Sequence, residues 1–343
     1  MSEIKQYVRF DKDMTNIVKG FAILFMLKLH CYSDYKYEVP LDFDHAFMFA
    51  HDGFNICVGM FAFMIGYGYA FARTKDLRYG WQHIKKLMIP YLTIFFVFML
   101  PVYYKEFFSS GWQMMLYTVL GLDVSFYYYN WFIYAMLVMP LYSRFIDKKP
   151  LRNTIIGVVC FYLIQVASHF WIYPHMSKEM FYMVYNCVSL TPLILLGYLF
   201  AHERYYERIR VDNLSKPLVL VGSLLTLALM IFIDSKLRLG GGFLFEFFYA
   251  PIAIGAIVIL FSKFKFRYLR PVLIKVGWVS MYMWFLQALV HTPIVREFYQ
   301  PVITIFKDIN LVAIWTTVVL FFAGWLLRSA IDYLQGLTAN HKN

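Results

Sequence analysis

An all-α, polytopic membrane bundle with ten transmembrane helices and both termini in the cytoplasm is the fold this sequence predicts. Three observations predict it. Of 343 residues, 61% are hydrophobic and only 15% are charged, whereas a soluble domain is roughly half apolar and a quarter charged. Apolar stretches of about the length needed to cross ~30 Å of hydrocarbon recur along the whole chain. The basic residues between them fall on one side. This composition excludes a disordered chain, a coiled coil, collagen and an ordinary cytosolic enzyme.

The ten stretches run at 14–32, 47–72, 84–104, 131–146, 154–172, 181–201, 217–235, 244–262, 273–291 and 311–334. The first follows a polar start, MSEIKQYVRFDKD, and no small-residue cleavage site comes after it. It is therefore expected to stay as an uncleaved signal anchor. The stretch 112–129 is short and broken by Gly121 and Asp123, so a re-entrant or interfacial segment is expected there.

Charge sets the count and the orientation. With ten helices and the N-terminus inside, the inner segments are 1–19, 73–86, 144–152, 202–216, 263–275 and 328–343. They hold 24 of the 32 Lys and Arg but 9 of the 21 Asp and Glu. The net charges become +15 inside and −4 outside, the asymmetry that the positive-inside rule demands. Adding a span at 112–129 or reversing the orientation destroys it. The overall +11 thus reads as topology, and no nucleic-acid partner is needed to explain it. The longest inner loop, from His202, is too small to bury a core, so one membrane domain over 9–335 and no soluble domain are expected. Cys31, Cys57, Cys160 and Cys187 show no paired spacing, which supports neither a disulfide framework nor a metal site.

Ionisable residues inside apolar runs are the informative ones, because each is costly unless satisfied or useful. The first helix carries Lys19 near its inner end and His30 near its outer end. Eleven residues at about 100° each return to nearly the same face, ~16 Å along the axis. A lysine at an inner helix end is also what topology alone predicts, and a histidine at an interface can be a satisfied packing residue. Lys28 lies on another face and reads as a snorkelling side chain. His45, His51 and Asp52 open the second helix on the outer side. Arg73, Arg78, His83, Lys85 and Lys86 cluster at the inner mouth before Pro90, where membrane lipid headgroups are the ordinary partner of such a run. Gln287 and His291 lie toward the outer end of the ninth stretch. Asp234 and Glu246 flank a Gly-rich outer loop and are expected to be solvated.

Several ordered motifs then resemble the integral-membrane acyltransferase-3 family, the bacterial ten-helix enzymes that acylate envelope and surface carbohydrates. KGFAILFMLKLH is similar to that family's basic-x10-His helix, with Lys19 where Arg is usual and His30 as the histidine. ICVGMFAFMIGYGYAFA matches a Gly-Tyr-Gly run at Gly66, Tyr67 and Gly68, with Ile65 in place of Ser. HIKKLMIPY is similar to a basic-x-x-basic run before Ile-Pro-Tyr, and NWFIYAML to a Trp-Phe-(Ile/Leu) opening. GWVSMYMWFLQALV follows the family's last motif but has Gln287 where His is common.

The resemblance covers essentially the whole chain and implies an acetyl-CoA-dependent O-acetyltransferase of the bacterial cytoplasmic membrane. The expected partners are an acyl-CoA donor, a carbohydrate acceptor and membrane lipid, and a homodimer is left open. Lys19, His83, Lys85 and Lys86 would meet the CoA phosphates. Lys19 has lost the guanidinium fork but keeps a point charge. His30 would act as general base or as acyl-accepting nucleophile, with Asp52 to orient it. Gln287 carries no catalytic role on this reading. The competing expectation is a transporter or flippase of a lipid-linked saccharide, which does not need the Lys19/His30 face.

Overall fold

The computed structural model describes residues 7–32, 37, 39–43, 53–120, 130–172, 175, 178–237 and 246–340. Among them 84% are helical and there is no strand. In chain order the helices are α1 (Lys12–Cys31), α2 (Ile56–Ala70), α3 (Leu77–Ile94), α4 (Leu100–Ser109), α5 (Trp112–Leu120), α6 (Asn130–Lys148), α7 (Pro150–Ala167), α8 (Lys178–His202), α9 (Lys216–Leu237), α10 (Glu246–Lys263), α11 (Leu269–His291), α12 (Pro293–Tyr299) and α13 (Ile309–Asn340). A π-helical turn at Phe95–Met99 joins α3 to α4, five residues beyond Pro90, which lies inside α3. Proline removes one ladder hydrogen bond and crowds the preceding turn, and a wide turn lets the helix continue past such a defect.

Every predicted stretch contains a helix. Among the described residues, seven helical segments are long and apolar enough to cross a membrane: Lys12–Cys31, Gly53–Ala70, Leu77–Ser109, Pro150–Ala167, Lys216–Lys236, Leu269–His291 and Ile309–Gln335. The chain is that of a multi-pass membrane protein. In the other three stretches, α8 is 25 residues long and α10 is 18; their apolar segments among the described side chains are Cys187–His202 and Phe248–Lys263, and α6 carries Arg144, Asp147 and Lys148 at its end. At 112–120 stands the nine-residue α5, too short to span ~30 Å, with Trp112 and Tyr117 exposed.

The chain divides into two compact units, one of residues 1–26, 50–84 and 129–277, the other of 27–49, 85–128 and 278–343. The first unit is built on glycine crossings. A Cβ on Gly66 of α2 would lie 1.9 Å from the Ile194 carbonyl oxygen, and one on Gly197 of α8 would lie 2.0 Å from that of Phe63. The α1–α11 crossing uses the same device: a Cβ on Gly277 would lie 1.8 Å from the Asn16 oxygen. Between membrane helices there is little hydrophobic drive, so close backbone approach and dispersion hold the pair. The α2 span is accordingly 72% buried, against 22% for the α7 span, which leaves α7 with apolar residues facing outward.

In the second unit the tail of α1 meets the start of α13. Cys31, Tyr32, Ile309 and Val312 form a buried cluster on which Tyr37, Leu41 and Phe43 pack. The Asp42 N–H donates to the Lys307 carbonyl at 2.8 Å, and the Ile309 N–H to that of Asp42 at 3.1 Å. The Tyr32 hydroxyl donates to Asn310 Oδ1. Tyr299 O–H donates to the Phe98 carbonyl at 2.5 Å, tying the end of α12 to the π turn.

Candidate functional site

The site begins with two helix ends. His30 is the penultimate residue of α1 and His291 the last of α11, and both belong to the second unit. Their rings stack with centroids 5.5 Å apart and planes inclined by 30°. His30 is half-buried, while His291 is only 7% exposed. Tyr37, in the loop after α1, sets its ring edge-on to His291 at 6.1 Å and 84°. Burial pushes the Tyr37 phenol well above its ordinary range, and the neighbouring Cys31 adds to this, so the group facing the imidazoles stays neutral.

One turn before His291 on the same helix face lies Gln287, 6% exposed. Its Oε1 is buried and has no hydrogen-bond partner among the described residues. The cluster thus combines a half-open imidazole, a buried imidazole, a neutral phenol and an unsatisfied amide oxygen.

The predicted acyl-donor residues are distributed. Lys85 and Lys86 are exposed on α3 in the second unit, whereas Lys19 and His83 are half-buried in the first. Lys19 and His30 do share one unbroken helix. His83 stacks on Tyr79 at 3.9 Å, and its Nδ1 lies 2.9 Å from the Tyr79 carbonyl oxygen, so its ring is engaged along its own helix. Asp52, His45 and His51 lie outside the described residues, as do Tyr127, Tyr128, Tyr129 and the side chain of Trp131. Trp171 is 71% exposed, as an aromatic at a membrane interface is expected to be.

Asp234 requires a correction. Rather than being solvated, it is 1% exposed. Its Oδ2 accepts the Ile56 N–H at 2.9 Å, at the start of α2, and its Oδ1 accepts the Tyr249 hydroxyl. A carboxylate at a helix N-terminus satisfies a donor that the helix itself cannot pair. The side chain of Glu246 lies outside the described residues.

Two further features of the first unit differ in kind from the histidine site. Lys75 Nζ donates to the Tyr198 hydroxyl at 2.6 Å, which donates to Asp147 Oδ1 at 2.7 Å. His202 reaches both Asp147 at 3.8 Å and Glu203 at 3.1 Å. Glu203 is held below the usual carboxylate range by its hydrogen bond from His202, with Arg208 contributing. These charges satisfy one another and staple α6, α8 and the α2–α3 loop. A cavity of ≈ 450 Å³ runs between α9 and α10 beside Tyr206, Gly222, Pro251 and Gly255. Its walls are apolar, and they lie beside exposed side chains such as Leu218, Val221 and Ile252, so hydrocarbon is its natural filling.

Sequence reasoning pointed to His30 through its helical face. It assigned nothing to Tyr37, and it noted His291 without a role. The i, i+4 spacing of Gln287 and His291 was the available signal. No protein-family model, curated protein or solved structure matches this chain.

Proposed function

We propose that this protein is a membrane-bound O-acyltransferase, moving an acetyl group from cytoplasmic acetyl-CoA to a hydroxyl of an extracytoplasmic or lipid-linked carbohydrate. The observation that carries the reading is His30, half-open and stacked on the buried His291. The ordered motifs resembling the acyltransferase-3 family support it. In this reading ten helices cross the bacterial cytoplasmic membrane with both termini inside, in keeping with the +15 to −4 charge division. The His30 end of α1 then faces outward, and Lys85 and Lys86 offer exposed cations to the CoA phosphates at the inner mouth.

His30 removes the proton of the acceptor hydroxyl as that oxygen attacks the thioester carbon. The C–S bond breaks, and the imidazolium returns the proton to the departing CoA thiolate. The products are an ester and CoA thiol. Imidazole suits this task because it exchanges protons near neutral pH, and a positioned general base typically contributes about 10²–10⁴-fold.

His30→Ala should abolish acceptor acetylation in cells at unchanged protein level, together with acceptor-dependent consumption of acetyl-CoA by membranes. Retained acetylation sinks the role of His30. If wild-type membranes consume no acetyl-CoA, the transport reading replaces this one.

A further inference from the structure

We infer that the Gln287 carboxamide is a hydroxyl-binding group that recognises a polyol, and that it holds the acceptor sugar beside the histidine pair. The second part rests on the acyl-transfer reading; the first does not.

Gln287 is 6% exposed, and its Oε1 is buried with no hydrogen-bond partner among the described residues. Buried polar atoms are nearly always paired, so each exception calls for an explanation. The next turn of α11 offers none: Met283 is fully buried, and the rings of Trp284 and Phe285 stack on each other at 5.3 Å. An apolar side chain of the same shape would avoid the desolvation penalty that an unpaired amide oxygen incurs. By contrast, the buried carboxylate of Asp234 has both oxygens engaged.

Position supplies the second observation. Gln287 and His291 are four residues apart and therefore on one helix face, and His291 is stacked on His30. A ligand reaching the half-open His30 ring from the helix ends thus arrives beside the face that carries the amide. A carboxamide presents an acceptor oxygen and two N–H donors. Neighbouring hydroxyls of a sugar present the complementary pattern, each being donor and acceptor. A fatty chain or a bare phosphate does not: the first offers no donor, and the second offers only acceptors to an amide oxygen that needs a donor.

Gln287→Leu separates the possibilities, using the full chain purified in a non-glycosidic detergent, with glucose, N-acetylglucosamine and glycerol as probes. Without probe, the variant should unfold at the same temperature as wild type or higher, because an unpaired polar group has been removed. A lower unfolding temperature means that the amide is bonded within the protein and overturns the inference. With probe, wild type should be stabilised by at least one of the three compounds and Gln287→Leu by none. Equal shifts, or no shift in wild type, also overturn it. Gln287→Asn, which keeps the amide on a shorter stem, should recover part of the shift. Acetyl-CoA consumption is measured in parallel: probe binding that depends on Gln287 without any consumption would leave the hydroxyl-binding role standing and remove the acyltransferase reading.

Discussion

Asp234 and Gln287 are both polar side chains buried in membrane-spanning helices, and they are treated in opposite ways. Asp234 is 1% exposed and has both oxygens occupied, one by the first turn of α2 and one by Tyr249. Gln287 is 6% exposed, and its amide oxygen is left unpaired one turn from a stacked imidazole pair. The contrast teaches how to sort polar residues in a greasy bundle. Burial alone does not mark a functional group, because a carboxylate can be as buried as any leucine and serve only to hold a helix end. What distinguishes the histidine end of the second unit is that its polar groups are not all used up by the protein itself.

The first unit should break through its packing. The largest effect is expected from Gly66→Leu, since even a Cβ at Gly66 would lie 1.9 Å from a backbone oxygen of α8. Helix backbones cannot yield as the tip of a side chain can, so α2 and α8 must separate. Folded protein should fail to accumulate in membranes, whereas Gly68→Leu, at a position with open space within 4 Å, should accumulate normally. Equal accumulation of the two variants would mean that the α2–α8 crossing is not what holds this unit together.

Asp234→Ala comes next. It leaves the Ile56 N–H and the Tyr249 hydroxyl buried without their acceptor, at ~1–3 kcal/mol each, so a loss of about 2–6 kcal/mol is expected. Thermal unfolding of the purified protein should show it, with acetyl transfer per folded molecule unchanged. Transfer that falls while the unfolding temperature holds would move Asp234 from architecture to chemistry and erase the contrast with Gln287.

Local pattern made the helices legible, because apolar runs and their flanking charges are properties of neighbours in sequence. That Lys19 and His30 share one helix was legible for the same reason, since their spacing is a property of that helix. Asp234 was misread because its partners, Ile56 and Tyr249, come from two other helices, one of them 178 residues away. A carboxylate beside a Gly-rich loop looks solvated until those partners are known. The pairing of His30 with His291 was hidden likewise, since it joins the first helix of the chain to the eleventh. The predicted acyl-donor residues Lys19, His83, Lys85 and Lys86 were grouped by their expected place at the inner mouth, yet His83 is engaged with Tyr79, while Lys85 and Lys86 stand exposed.

That last difference gives the smallest expected effect and the sharpest test of the inner mouth. Exposed lysines hold nothing together, so Lys85→Ala/Lys86→Ala protein should keep the wild-type unfolding temperature. An exposed ion pair is worth ~0.2–1 kcal/mol, so on the acyl-transfer reading losing two contacts to CoA phosphates should weaken acetyl-CoA binding by about two- to thirtyfold. The remaining affinity should also depend less on ionic strength, because fewer screened charge pairs contribute to it. Calorimetric titration of acetyl-CoA at two salt concentrations reads both quantities. Unchanged affinity together with an unchanged salt dependence would assign Lys85 and Lys86 to lipid headgroups instead. The polar groups that matter for the donor would then have to be sought among those the bundle partly buries, as it does His30.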